Sequence, residues 1–478
     1  MAKLQQITVD YVDGSTSIRQ MESGYLKQAL SLCLALLKFV IQQKVIQLGG
    51  EQPSGINGEK LKQSGVRTRG YLSLFGRLDF TRPSFHSNQR GMLYVVDEHL
   101  DMPRDLWSYN IQELVSSNAT QTNFRESVKT MNSLLNLGLN GTSSERAINH
   151  LGEEVTAFYE QQPIQRPTGG VCFCASFDGK GVPKIKPLDK TKAKETKRLG
   201  KGEKRGVKQM ATVGVVSYFE PKPREVGDII KGLMEYKTEK TSEESASLPS
   251  SSNDNRWHQD IHRRAFLADQ DKSIDYGIGR IKSMINHPQS RIVVPIDAGI
   301  GLEDKVLQSL KKHGLTDRLA AIILDIIHVS EYVWDCANAI LGEGSKLRTD
   351  WVKEMLEDLL TSKTKQVIED LKKIVAKTDL NKSKKEKIQK AITYFSNHQH
   401  KMDYKTYIQK GYPVSSALVE SNCKHLVKDR MELSGMRWSS SGAQNMMDMR
   451  AVKLNGDLPN FINFIERKNR KINLAKVA

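Results

Sequence analysis

The residues best suited to chemistry in this chain are four acids. Glu420 sits in the apolar stretch Ala417-Leu418-Val419 at the start of a predicted helix, and Lys424, Lys428, Arg430, Arg437 and Trp438 follow it. An acid in an apolar segment costs free energy unless something charged binds it, and the cations around it suit a polyanion. Asp178, Asp297 and Asp325 each end or follow an apolar run that reads as a buried strand. Asp297 follows Asp178 by 119 residues and precedes Glu420 by 123, spacings that exclude a local motif such as an EF-hand loop. Any shared site must therefore be assembled by the fold. Acids at the C-terminal ends of neighbouring strands gather at one sheet edge, where α/β sites form. Three carboxylates there repel and raise one another's pKa, and bound divalent cations relieve the repulsion. Two Mg²⁺ about 4 Å apart would activate a water or a 3′-hydroxyl and stabilise the leaving oxygen of an in-line displacement. The competing reading of a strand-end aspartate is a helix or turn cap. It weighs most for Asp325 and least for Asp178, which has Gly179-Lys180-Gly181 beside it.

The elements that must position these acids follow from periodicity. Tyr25 to Leu48 carries apolar residues at helical spacing and is broken by Gly49-Gly50; Arg69 to Phe85 alternates around Gly76 as a β-hairpin. Arg67, Arg69, Arg77 and Arg82 on that hairpin read as a solvated face, with a phosphate-facing ribbon as the alternative. Phe124–Leu137 and Ser143–Phe158 form two predicted helices around a glycine turn, with Thr142 or Ser143 as the cap, in the outline of a helix-turn-helix. Val171–Phe177 is predicted as a buried strand delivering Asp178 into a loop. Strands at Ala211–Phe219, Arg291–Ile296 and Arg318–Leu324 and helices at Asp271–Asn286 and Glu303–Lys312 complete a mixed α/β sheet. Lys184–Lys208 holds eleven Lys/Arg against three acids and reads as a basic loop tracking a phosphate backbone; 237–256 is a polar stretch read as a disordered insertion. Asp350–Lys377 is strongly helical, so 341–411 is expected to be a helical insertion. The resulting division is 1–165 mainly helical with the hairpin, 166–340 the first part of the α/β core, 341–411 the insertion, and 412–478 the remainder of the core with Glu420.

With 72 Lys/Arg against 55 Asp/Glu the net charge is +17 and the pI about 9.4, which favours polyanionic partners. The 38% hydrophobic content excludes wholesale disorder. Five scattered cysteines without a CxxC pair argue against a disulfide framework or a zinc knuckle; Cys172 and Cys174 share a strand face as small apolar residues. No signal peptide is legible, and the apolar run Ala29–Ile41 is too short to span a bilayer, so a soluble, cytoplasmic protein without a membrane partner is expected.

Several segments together resemble the ISKra4 family of bacterial insertion-sequence transposases. They are Asp178-Gly179-Lys180-Gly181-Val182-Pro183, Leu324-Asp325-Ile326-Ile327-His328-Val329, Gly411-Tyr412-Pro413 through Glu420, and His425-Leu426-Val427-Lys428-Asp429-Arg430-Met431. Ser434-Gly435-Met436-Arg437-Trp438, Gly442-Ala443-Gln444 and Arg450-Ala451-Val452 extend the resemblance to about residue 460. It implies a DDE-type enzyme with an RNase H-like core, preceded by a mainly helical DNA-binding region. Such an enzyme cuts and joins double-stranded DNA at the element's terminal inverted repeats and at a target, using Mg²⁺ or in its place Mn²⁺, as a homo-oligomer associated with the nucleoid. Carried over by position, Asp178, Asp297 and Glu420 are the catalytic and metal-binding acids and Asp325 with His328 is an accessory pair, with Asp325 as the alternative second acid. Lys180, Lys424, Lys428, Arg430, Arg437 and Arg450 are expected phosphate contacts, and Trp438 a base-stacking residue or a core residue. The sequence departs from the family pattern at Ser415-Ser416-Ala417 and Ser421-Asn422, on either side of Glu420. The alternatives are an RNase H-like nuclease without strand transfer and an inactive DNA-binding derivative.

Overall fold

The chain alternates helical runs with a hairpin and a mixed sheet, and the computed structural model resolves it as a mixed α/β protein with many helices. The structure describes residues 2–14, 16–49, 61–87, 91–185, 207–241, 258–343, 345–377 and 380–477. Most of the basic loop 184–208 and of the insertion 237–256 lies outside the described residues. Two compact units form, Met1–Gln162 with Asp448–Ala478, and Pro163–Met447.

The first unit begins with α1 (Ala2–Asp13) and α2 (Ile18–Gly49), then β1 (Gln63–Ser73), β2 (Gly76–Ser87) and β3 (Gly91–Leu93), then α3 (Val95–His99), α4 (Tyr109–Ala119), α5 (Phe124–Leu135) and α6 (Gly141–Gln161). Helix α2 is longer than its apolar run suggests: at 32 residues it is long and apolar enough to cross a bilayer, by length and composition only. The hairpin turns at Ser73↔Gly76, where Gly76 takes φ +129, a value L side chains rarely adopt. Two of its arginines are internal rather than solvated. Asp97 of α3 takes Arg69 Nη1 at 2.5 Å and Arg82 Nε at 2.6 Å, and the Arg82 guanidinium lies 4.0 Å from the Tyr94 ring centroid. Arg67 and Arg77 stay exposed. Between α5 and α6, the Asn132 side chain bonds both backbone groups of Leu139, at 2.7 and 2.8 Å. The cap of α6 is Asn140, accepting from Ser143 N at 2.8 Å, before the predicted Thr142 or Ser143 in the chain. Its amide side chain reaches the N3 backbone donor, so neither hydroxyl is needed.

In the second unit, β4 (Cys172–Lys184), β5 (Val207–Phe219), α7 (Val226–Thr241), β6 (Gln259–Leu267), α8 (Gln270–Met284), β7 (Arg291–Ile296), α9 (Leu302–Lys312) and β8 (Leu319–Leu324) build one sheet with its covering helices. The order is β6-β5-β4-β7-β8. The β4–β5 and β5–β6 pairs are antiparallel; β4–β7 and β7–β8 are parallel. Strand β4 does not release Asp178 into a loop. It continues to Lys184, with Asp178 opposite Val213, because β5 pairs with it along all of that length.

Period-two alternation divides the sheet's faces. Phe173, Ala175 and Phe177 join Ile292, Val294 and Ile296 beneath α8 and α9. Cys172, Cys174 and Val293 face the opposite layer. That layer comprises α10 (Ile326–Leu341), α11 (Leu347–Leu360), α12 (Thr364–Lys377), α13 (Lys382–His398) and α14 (Tyr404–Gln409), followed by α15 (Ala417–Asn422) and α16 (Asp429–Met431). The expected continuous helix over Asp350–Lys377 is two helices. Ser362 breaks it at φ +64, and its hydroxyl donates to Asp403 Oδ1 at 2.9 Å and accepts from Lys405 N at 3.1 Å. Helix α17 (Ser440–Leu454) runs into α18 (Leu458–Val477), whose residues belong to the first unit, so the division drawn from sequence at 412–478 does not coincide with the compact units.

Gly411 opens the segment leading to α15. It has φ +69, and a Cβ there would fall 2.3 Å from Lys222 N. Gly411→Ala is therefore expected to destabilise the protein by about 2–4 kcal/mol, read as a lower denaturant midpoint with an unchanged slope.

Candidate active site

The β4–β7 ladder runs Cys172↔Arg291 to Cys174↔Val293, an offset of 119 residues, the same interval that separates Asp178 from Asp297. The β7–β8 ladder reaches Ile296↔Leu324, and Asp325 N donates to Ile296 O at 2.9 Å. Continued at these offsets, the ladders would set Asp178, Asp297 and Asp325 in one row. By alternation Asp178 lies on the face of Cys172 and Cys174, the face that the helical layer covers. The recorded β4–β7 pairing stops at Cys174↔Val293, short of that row.

Glu420 reaches the same neighbourhood from α15. Cys423, three residues on and hence on the same helix face, has its thiol pKa pushed well up by burial, then by the Asp178 carboxylate with which it forms a hydrogen bond; Glu420 adds to the effect. Asp297 Oδ1 accepts from Gly299 N at 3.0 Å in the Asp297-Ala298-Gly299 turn. Tyr394 of α13 has its hydroxyl pKa raised by burial, and by Tyr332, Asp325 and Asp297 in lesser degree. Asp178, Asp297 and Glu420 are all half-buried.

Asp325 differs from them. Its side chain is fully buried and caps α10. Oδ1 accepts from Ile327 N at 3.0 Å and Ser416 N at 3.1 Å; Oδ2 accepts from Ser416 Oγ at 2.7 Å and His328 Nδ1 at 2.7 Å. Four donors occupy the roughly four lone-pair positions of a carboxylate. The hydrogen bond to Asp325 raises the His328 pKa to about 9, against the opposing effect of burial, so the imidazole is a cation at neutral pH. Its Nδ1 also stands 3.9 Å from Glu420 Oε1.

Asp325, His328 and Glu420 place one potential ligand atom each within 4.8 Å of one another, the spacing of a metal group among the described residues. A cation held by all three would have to displace the imidazole proton and a donor to Asp325. The chemistry of the set instead favours a buried acid, an imidazolium and a second acid in a chain. Asp178, Asp297 and Glu420 offer the carboxylate oxygens that a hard divalent cation takes. They do not form a three-residue group within that 4.8 Å limit.

The residues flanking Glu420 have identifiable roles. Ser416 supplies two of the four donors to Asp325 and its carbonyl accepts from Glu420 N at 3.1 Å, tying the start of α15 to the end of β8; a glycine would lack the hydroxyl. Asn422 Nδ2 donates to Leu418 O at 2.7 Å, and Asn422 Oδ1 accepts from Arg263 Nε at 2.5 Å. Beyond α15 the helix widens into a π-helical turn, Cys423–Lys428, before α16. Sequence reasoning had no access to Ser416 or Cys423 as partners of Asp325 and Asp178, because each pair is distant in the chain.

The expected phosphate contacts divide. Lys428 and Arg437 are exposed, and Lys180 and Lys424 half-buried. Arg430 is fully buried, with its guanidinium 5.0 Å from the Trp438 ring centroid and Nη1 bonded to Met436 Sδ at 2.9 Å. Trp438 is buried too; its Nε1 donates to Met431 O at 3.0 Å and its backbone pairs with Pro183 and Ile185. Arg450, in the other unit, is buried and donates from Nη1 to Thr120 O. Arg430, Trp438 and Arg450 are thus buried and packed against the protein.

No protein-family model and no curated protein matches this chain. Among solved structures, the Drosophila P element transposase strand transfer complex is similar over 76% of this chain and 82% of that chain, with 10% identity and a TM-score of 0.25. A likeness at that level fixes neither fold nor function.

Proposed function

We propose that this chain is a DDE-type transposase resembling the ISKra4 family, with an RNase H-like core that cuts and joins DNA at the ends of an insertion sequence. The reading rests on the placement of Asp178 on β4 and of Asp297 and Asp325 at the ends of β7 and β8, with Glu420 in α15 three residues before Cys423, which bonds Asp178. A five-stranded sheet with two antiparallel pairings followed by two parallel ones supports the core assignment.

Asp178, Asp297 and Glu420 would hold the Mg²⁺ ions, or Mn²⁺ in their place, which supply Lewis-acid chemistry for phosphodiester hydrolysis and transesterification. Asp325 holds the start of α15 through Ser416, and His328 sets the side chain of Glu420 by charge. Lys180, Lys424, Lys428 and Arg437 face the DNA backbone. The hairpin of α5 and α6 contributes to end recognition, and the protein works in the cytoplasm on the nucleoid.

The test uses the purified full chain, Mg²⁺, and DNA carrying the sequences that flank its gene. Nicking at inverted repeats followed by joining of the cut end to a second duplex is the expected result. Cutting without joining would favour the nuclease alternative, and DNA binding with neither activity the inactive derivative. Neutralising Lys428 or Arg437 is expected to lower the slope of log K against log salt by about one each. Arg430→Ala and Arg450→Ala should instead lower the melting temperature; an unshifted melt with a reduced salt slope would return them to the interface.

A further inference from the structure

Helix α2 carries apolar residues on two faces, and among the described residues one of them packs along its length against the rest of the chain. Leu34, Leu37, Ile41, Val45 and Leu48 pack with Leu78, Phe80, Val96 and Met102. On the opposite side, Ile18, Tyr25, Leu32, Phe39 and Ile46 recur every seven residues, with Glu22, Ala29, Leu36 and Gln43 interleaved four residues after each. That is the alternating three-and-four spacing of a coiled-coil seam. It is open to solvent: Ile18 is 72% exposed, Leu36 56%, Phe39 58% and Ile46 70%. At the N-terminal end Tyr25 also meets Tyr11 of α1, leaving Ala29 to Ile46 as the uncovered stretch.

We infer that this seam is the interface between two copies of this chain, which pair through α2. Three observations select a second copy. The seam keeps a strict seven-residue period over four repeats, and that period is required only by another helix of the same period. Its open residues Leu36, Phe39, Val40 and Ile46, at 56, 58, 53 and 70% exposure, form a continuous apolar stripe of the kind that pairs two helices. The polar seam positions Glu22 and Gln43 lie towards its two ends, where such residues set register in a paired helix. A bilayer is the poorer occupant although the helix is long enough. Insertion would strip Leu37, Ile41 and Leu48 from the hairpin and carry Lys27, Lys38 and Lys44 into hydrocarbon. The inference does not depend on the catalytic assignment.

The test is the mass of the full chain in solution by light scattering or sedimentation, without DNA, at micromolar concentration. The expected mass is twice 53.9 kDa, falling to 53.9 kDa in Leu36→Glu/Phe39→Glu, whose circular dichroism and melting temperature should match those of the parent because both positions are exposed. If that variant fails to fold, Phe39→Cys in a Cys33→Ser background replaces it, and an interchain disulfide on mild oxidation is expected. A monomeric parent, a variant that stays dimeric, or a Phe39→Cys chain that does not cross-link would each overturn the inference. So would flotation of the parent with vesicles of phosphatidylcholine and phosphatidylglycerol in the absence of self-association.

Discussion

Glu420→Gln is expected to lower Mg²⁺-dependent DNA cleavage by a factor of about 10³ or more, with DNA affinity and the melting temperature nearly unchanged. The substitution keeps the shape of the side chain and removes only its charge. Glu420 is half-buried in the first turn of α15, and the contacts that hold this turn run through Ser416 to Asp325. Asp178→Asn and Asp297→Asn should fall in the same class, as the other two acids of the proposed metal site. Combining any two should cost little more than one, because residues that hold one metal site act as a unit. Unchanged cleavage in Glu420→Gln would remove these acids from the mechanism. Weakened binding with intact cleavage would instead make Glu420 a structural acid.

What could be read from the chain depended on how local the signal was. The hairpin at Gly76, the strand Arg291–Ile296 and the helices around the glycine turn at Gly138 are set by short-range periodicity and turn chemistry, and the structure has all three. Strand β6 was missed: it lies at the sheet edge, and Arg263 and Arg264 interrupt its apolar pattern. Charge on an edge strand discourages pairing with other chains. Arg264 is nonetheless buried, its guanidinium 4.8 Å from both the Phe266 and Tyr276 ring centroids, a compensation visible only in three dimensions. The site was legible as a set of acids but not as a geometry. The interval of 119 residues between Asp178 and Asp297 looked like a bare distance until the β4–β7 register gave it meaning. Composition cannot separate a guanidinium that meets phosphate from one that packs on an indole, and Arg430 does the latter.

The Asp325–His328 pair should dominate the stability of the site and its pH dependence. Asp325→Ala would leave Ile327 N, both donors of Ser416 and the His328 imidazolium without their acceptor in a buried setting, at a cost of roughly 3–5 kcal/mol. Equilibrium unfolding in denaturant would measure it, and a loss below about 1 kcal/mol would mean that water replaces the carboxylate. For His328 the folded-state pKa, about 9, lies above the ordinary 6.5 because Asp325 bonds the charged ring. The folded state therefore binds the proton more tightly than the unfolded one. The stabilisation is complete below pH 6.5 and is lost as pH rises towards and through 9. In metal-free buffer the melting temperature should fall across that window, and His328→Gln should flatten the fall. The imidazole is 38% exposed, so solvent screening keeps the slope shallow, and the difference between parent and variant is the quantity to read. A divalent cation at Glu420 would stand close to the imidazolium, whose Nδ1 is 3.9 Å from Oε1. Like charges disfavour each other, so added Mg²⁺ is expected to move the titration midpoint of His328 to lower pH. A midpoint that does not move would place the metal away from Glu420.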